Sequence, residues 1–283
     1  MGNIAQTFKN LRLKGEKALI PYVTAGDPSL AATKKLLFAL EAAGADLIEI
    51  GVPFSDPTAD GPVIQRASER SLKNGASLTA VLDLVGTVRP GIGVPLVLFG
   101  YYNPILTFGP ERFAARAREV GVDGILVVDL PPEESNELRR YTDPLGIDFI
   151  SLVTPTCDDE RLGKISDDAS GFLYYVSVTG VTGTRSSLPP DTEGNIARIR
   201  AMTDLPVVVG FGIANPATAA RAARAADGVV VGSALVSIVE LHERDENGLV
   251  HEVEGFIRSM KAPLLGRGRT IRPARPDRTA IKG

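Results

Sequence analysis

Residues 47–62, LIEIGVPFSDPTADGP, join a short apolar run to a Gly/Pro-rich loop and place three acids along the way: Glu49 inside the run, then Asp56 and Asp60 in the loop. The run Leu47-Ile48-Glu49-Ile50 reads as a strand, and a helical stretch over 62–73 follows the loop. A Glu buried in such a strand is costly unless it is paired or protonated. A strand-borne Glu followed by a loop Asp is one way to build an acid/base pair, with the general base on a rigid element and its partner on a movable one. Taken alone, the stretch defines a candidate pair of open purpose.

Working outward, the same strand–turn–helix unit recurs. Strand-like runs fall at 18–23, 46–50, 96–100, 124–128, 149–153, 172–176, 207–210 and 228–231. Several are nearly continuous Val/Ile/Leu, the pattern of parallel strands covered on both faces. Amphipathic stretches lie between them at 29–43, 110–120, 132–145, 191–202 and 216–225, and the second repeat carries an extra helix, 62–73 ahead of 77–89. Gly44 and Gly121, each two residues before an Asp, read as helix stops. Eight such units predict a closed (β/α)8 TIM barrel within the α/β class, with a doubly wound open sheet as the competing architecture. The expected layout is one catalytic domain over residues 1–262 and a basic, disordered tail over 263–283, where six Lys/Arg and three prolines accompany one acid.

The 283 residues suit a single barrel, for which about 250 is typical. A net charge of −3 argues against a nucleic-acid binder. No apolar run approaches the ~20 residues of a membrane span, and no signal-peptide segment opens the chain. One cysteine, Cys157, excludes an internal disulfide and fits a reducing cytoplasm. It has no His nearby and reads as passive. His242 and His251 lack partners at metal-ligand spacing.

Gly-bearing turns follow the last three strands: TGVTG at 179–183, GFGI at 210–213, and Gly232-Ser233. Glycine lets backbone approach a ligand, and helix N-termini favour anions. The loops after strands 7 and 8 of such barrels commonly bind phosphate, so Gly212, Gly232 and Ser233, with Gly183 beyond strand 6, form the expected phosphate cradle. The polar segment 178–192 is long for a βα loop, where about 2–6 residues are usual. It is expected to act as a lid, carrying Arg185.

These motifs also carry a resemblance. EIGVPFSDPTADGPVIQ at 49–65, FGYYNPI at 99–105, VTG at 181–183 and VVGFGI at 208–213 resemble the tryptophan synthase alpha chain family, and the likeness runs over residues 4–262. It implies a lyase that cleaves indole-3-glycerol phosphate to indole and glyceraldehyde 3-phosphate by a retro-aldol reaction, the alpha reaction of tryptophan biosynthesis. It also implies a cytoplasmic heterotetramer of alpha and beta chains. Indole passes through a tunnel to the beta chain, whose pyridoxal phosphate couples it to serine, while the alpha chain itself carries no cofactor and no metal.

By matching motifs, Glu49 takes the family's acid/base position and Asp60 that of the second essential carboxylate. Tyr22, Tyr101 and Tyr174 match aromatic pocket positions, although the family more often has Phe at the place of Tyr22. Phe211 is expected at the boundary between indole and phosphate, Thr182 as the lid residue that bonds Asp60, and Gly183, Gly212, Gly232 and Ser233 around the phosphate. The loops around Pro53–Asp56 and Asn103-Pro104 correspond to the surface that docks on the beta chain. The tail beyond Lys261 departs from the family pattern. Three other readings stand beside this one: a stand-alone homologue that releases free indole with the same chemistry and no partner, a sugar-phosphate isomerase or epimerase, and, from a different class, a non-catalytic regulatory subunit.

Overall fold

The computed structural model describes residues 2–176, 189 and 191–266, apart from the side chain of Asn247. Its strands are β1 (Ala18–Thr24), β2 (Ile48–Gly51), β3 (Leu96–Gly100), β4 (Gly124–Val127), β5 (Asp148–Phe149), β6 (Ser151–Val153), β7 (Leu173–Tyr175), β8 (Val207–Val209) and β9 (Gly228–Val231). All neighbours pair in parallel, in the order β5-β4-β3-β2-β1-β9-β8-β7-β6. The two ends of that order are halves of one extended segment. β5 pairs with β4, β6 with β7, and Ile150 between them donates its amide to the Ile125 carbonyl at 2.9 Å. The sheet therefore closes, and the predicted strand 149–153 is the fifth of eight staves, broken only in its ladder.

Twelve α-helices accompany the strands among the described residues: α1 (Asn3–Lys14), α2 (Leu30–Ala42), α3 (Pro62–Lys73), α4 (Leu78–Val88), α5 (Tyr102–Phe108), α6 (Pro110–Val120), α7 (Asn136–Thr142), α8 (Asp159–Asp168), α9 (Thr192–Arg200), α10 (Pro216–Ala222), α11 (Ser233–Leu241) and α12 (Glu246–Lys261). The pair α3 and α4 is the extra helix expected after the second strand. Two segments differ from expectation. The stretch 132–145 is not one helix but α7 between the 3-10 turns Pro132–Glu134 and Asp143–Leu145. Pro144, lacking an N–H, stops α7 from continuing. Conversely, the loop around Asn103-Pro104 is the first turn of α5, where the missing proline N–H has no intrahelical acceptor to lose.

Strand side chains alternate between two apolar layers. One set, including Leu19, Ile48, Ile50, Leu98 and Ile125, packs outward against the helices. The other fills the barrel: Ala18, Ile20 and Tyr22 of β1, with Leu47, Val97, Leu126, Ile150, Phe172, Tyr174, Val208 and Val230. α1, which the strand-and-helix pattern did not single out, closes the end where the strands begin. Its Ile4, Phe8 and Leu11 join the interior cluster, with Phe8 and Phe172 ring centroids 5.7 Å apart.

At that same rim Asp46, Asp123 and Asp227 each precede a strand and accept the backbone amide of a neighbouring one, from Leu19 at 2.7 Å, Leu96 at 2.9 Å and Val207 at 3.1 Å respectively. Two of these are the aspartates after the helix-stop glycines, so the stop and the strand register come from one short motif. Asp46 also pairs with Lys261 at the end of α12, at 2.7 Å. Beyond Lys261 the packing continues through Leu264, which is buried and whose carbonyl accepts the Lys17 amide at 2.9 Å. The remainder of the tail, from residue 267, lies outside the described residues.

Candidate active site

Period-two alternation decides where Glu49 points. Leu47 faces the barrel interior while Ile48 and Ile50 face the helices, so Glu49 faces inward, in register with Tyr22 of β1 and Val97 of β3. It has no exposed surface, and among the described residues neither carboxylate oxygen has a hydrogen-bond partner. Burial without a compensating donor disfavours the charged form and pushes its pKa up to about 8. A protonated acid at neutral pH is the result.

Asp60 occupies the loop between β2 and α3, one residue before the helix N-cap, Gly61. It is held more openly and more firmly. The Tyr101 hydroxyl donates to Asp60 Oδ2 at 3.0 Å, and Gln65 Nε2 donates to the Asp60 carbonyl at 2.9 Å. Burial raises its pKa to about 6, while the Tyr101 hydrogen bond works in the opposite direction. The two acids therefore sit on either side of neutrality for stated reasons: Glu49 is fully buried and lacks a partner among the described residues, while Asp60 keeps slight exposure and is bonded to Tyr101. Environments that push two carboxylates apart in this way define an acid and a base.

A cavity of about 860 Å³, counting space open to solvent, spans the mouth above these strands. Tyr22, Asp60, Phe99 and Tyr174 line it together with Ile64 of α3; further lining includes Phe211, Gly212 and Ile213 after β8, Val230 of β9, and Gly232, Ser233 and Ser237 at and along α11. Tyr22 and Tyr174 also lie close enough to Glu49 to feel its charge. Two glycines make this aromatic lining possible. A Cβ on Gly51 would stand 2.1 Å from the Tyr22 hydroxyl, and one on Gly210 would stand 1.8 Å from Tyr174 Cε1, both well inside contact distance. Gly212 adopts φ +68°, the left-handed turn that carries the chain past the cavity.

Seven of the expected residues thus converge: Asp60, Tyr22, Tyr174, Phe211, Gly212, Gly232 and Ser233 line one cavity, and Glu49 is buried against its aromatic wall. Tyr101 is placed differently. It supports Asp60 from the side, its ring 5.1 Å from that of Phe54, and is not among the lining residues. Thr182, Gly183, Arg185 and most of the 178–192 segment lie outside the described residues. Ile64, Phe99 and Ser237 were not singled out from sequence, nor was the spacing role of Gly51 and Gly210, although Gly210 opens one of the Gly-bearing turns. Ile64 and Phe99 lie in the quoted motifs, where nothing in their residue type marks them as lining. Cys157 is buried, with its thiol pKa raised by burial, as befits a passive residue. Among the described residues no helix is long and apolar enough to cross a membrane.

Residues 8–264 match the family model described as tryptophan synthase alpha chain. The chain is 53% identical over 268 residues to the tryptophan synthase alpha chain of Geotalea uraniireducens, covering 95% of this chain and all of that one. It is 52% identical over 265 residues to that of Citrifermentans bemidjiense, covering 94% and 98% respectively. Among solved structures, tryptophan synthase subunit alpha from Legionella pneumophila superimposes with a TM-score of 0.87 at 38% identity, over 93% of this chain and 98% of that one.

Proposed function

The chain belongs to the tryptophan synthase alpha chain family, and from that premise we propose that Glu49 and Asp60 carry the alpha reaction, cleavage of indole-3-glycerol phosphate to indole and glyceraldehyde 3-phosphate. The observation that carries the assignment is the fully buried Glu49 carboxyl, without a hydrogen-bond partner among the described residues, beside a cavity whose other acid is ionised more easily.

Indole is a poor leaving carbanion, so its C3 must gain a proton before the C3–C3′ bond breaks. Glu49, protonated at neutral pH, supplies that proton and leaves a positive charge on the ring nitrogen. Asp60, ionised, accepts the indole N–H and stabilises that charge. The Glu49 carboxylate then takes the proton of the glycerol 3′-hydroxyl. The C3′–O bond becomes a carbonyl, the C3–C3′ electron pair returns to the ring, and aromatic indole departs. The net proton moves from the 3′-oxygen to C3, and Glu49 is restored. Positioned proton transfer of this kind contributes roughly 10²–10⁴-fold.

The other residues divide by chemistry. Tyr22, Phe99 and Tyr174 provide an aromatic slot for the ring, and Phe211 separates it from the anion end. The α11 N-terminus, entered through Gly232 and Ser233, offers unpaired N–H groups and a favourable dipole to the phosphate. Thr182 and Gly183 take their proposed roles, lid contact to Asp60 and phosphate contact, from the resemblance alone. Every step above uses this chain's own groups, with pyridoxal phosphate assigned to the partner.

The family implies a beta-chain partner, and we place its docking surface on the loop after β2, where Ser55 and Asp56 are exposed, and on α5, whose Leu106 is 54% exposed. We propose an assembly of two alpha and two beta chains in the cytoplasm. Indole release from indole-3-glycerol phosphate, measured with and without added beta chain, tests both parts: the reaction requires release, and the docking requires that the beta chain change its rate.

A further inference from the structure

Arg70 of α3 is not among the residues lining the cavity, yet its guanidinium ties together three parts of the barrel mouth. Nε and Nη2 donate to Oδ1 and Oδ2 of Asp27, both at 2.8 Å, and Nη1 donates to Glu240 Oε1 at 2.9 Å. Asp27 lies in the turn after β1 with its side chain 1% exposed, and Glu240 lies in the last turn of α11. Glu240 is further held by Arg66, one turn earlier on α3, at 2.6 and 2.8 Å. Next to Arg70, Ser71 donates to the Ala25 carbonyl at 2.5 Å, a second tie between α3 and the turn after β1.

The four charges are not equivalent. Arg66 is about half exposed, and its bonds compete with water. The two-pronged Arg70–Asp27 pair is mostly buried, where such geometry is strong and a lone remaining charge would be costly. What the chain of charges holds is the relation between two helix starts. α3 begins at Pro62, two residues after Asp60, and its Ile64 lines the cavity; α11 begins at Ser233, and both Ser233 and Ser237 line it. A helix is stiff along its axis, so a clamp about 12 Å down α3 fixes where its first turn stands.

We propose that Arg70 is a positioning residue for the alpha reaction: by bonding Asp27 and Glu240 together it fixes Asp60 relative to the α11 N-terminus. The inference rests on the roles given above to Asp60 and to the phosphate end. With both ends of the substrate held at one spacing, phosphate binding orients the indole N–H on Asp60, and binding energy from the non-reacting end serves the reacting one.

The test uses the full chain with Arg70→Lys, which keeps the charge and loses the fork, and Glu240→Gln, which keeps the shape and loses the charge. Steady-state kinetics on indole-3-glycerol phosphate are measured across pH, with binding of inorganic phosphate measured in parallel. Arg70→Lys is expected to lower kcat by roughly tenfold or more, to leave KM within about threefold, and to displace the acid limb of kcat/KM as the seat of Asp60 shifts. Glu240→Gln is expected to fall in the same direction but less, because the Asp27 fork remains, and both variants are expected to bind phosphate as the wild type does. A lower Tm with kcat, KM and the acid limb unmoved would overturn the proposal, leaving a structural brace. A raised KM with unchanged kcat would overturn it as well, since the clamp would then act on binding alone. If Arg70→Lys does not fold, Glu240→Gln decides between these outcomes. The wild-type chain assayed alongside separates the two levels, because absence of indole release there would refute the functional reading itself.

Discussion

The Tyr101 hydroxyl donates to the Asp60 carboxylate at 3.0 Å. The same oxygen accepts the Ala59 amide at 3.1 Å, so one phenol organises the loop and the acid it carries. This bond keeps Asp60 more acidic than its burial alone would allow.

Removing the hydroxyl therefore has a signed consequence. Tyr101→Phe leaves Asp60 buried without its donor, and its pKa rises from about 6. The acid limb of the kcat/KM profile should move upward by roughly one pH unit, and the fold should persist. The pH–rate profile of the variant checks this; an unmoved limb would show that Asp60 does not set it.

The wild-type profile should itself be bell-shaped. Asp60 must be ionised to hold the indole N–H, so activity rises through about pH 6, and Glu49 must be protonated to serve C3, so activity falls through about pH 8. Asp60→Asn should remove the rising limb from whatever activity remains while keeping the falling one.

The same burial makes Glu49 a stability liability. Its folded pKa is raised from 4.5 to about 8, so below pH 4.5 folded and unfolded chains are both protonated there and burial carries no ionisation penalty. As pH rises from 4.5 to about 8 the unfolded chain gains from ionising and the folded one does not, and stability is lost, on the order of 4 kcal/mol by pH 8. Glu49→Gln removes this dependence. Its Tm should match wild type near pH 4 and exceed it by several degrees at pH 8, as read by thermal unfolding at both values.

The spacing between Gly51 and Tyr22 makes a steric prediction. Gly51→Ala drives a Cβ into the Tyr22 hydroxyl and should lower kcat/KM by at least about tenfold, as a misplaced aromatic wall tilts the ring. Adding Tyr22→Phe removes the atom nearest the new methyl and should recover part of the loss. An additive double mutant would contradict this account.

Much of the barrel was legible because parallel strands bury both faces and therefore write themselves as Val/Ile/Leu runs. The boundary at Lys73 and the stop at Gly121 follow from local chemistry. What escaped was set by tertiary context. The ladder break at Ile150 depends on which neighbour each half of the segment meets, and α1, which the pattern of units did not single out, buries Ile4, Phe8 and Leu11 only against the open barrel end. Glu49 stood out because it breaks a local rule, a charge in an apolar strand; Asp60, an acid in a loop where acids are common, was separated from Asp56 by the family resemblance. The role of Tyr101 did not stand out, since its chemistry is a hydroxyl reaching back across 41 residues to Asp60. Gly51 stands in a quoted motif and Gly210 in a Gly-bearing turn, but their purpose as spacers is visible only in the tyrosines that pass over them.

The division of labour between the two carboxylates is tested most directly by indole release from indole-3-glycerol phosphate, comparing wild type with Glu49→Gln and Asp60→Asn at equal beta-chain saturation. The account predicts that each variant, with circular dichroism unchanged, falls by at least about 10²-fold in kcat. A folded Glu49→Gln or Asp60→Asn chain that releases indole at near wild-type rate would contradict it.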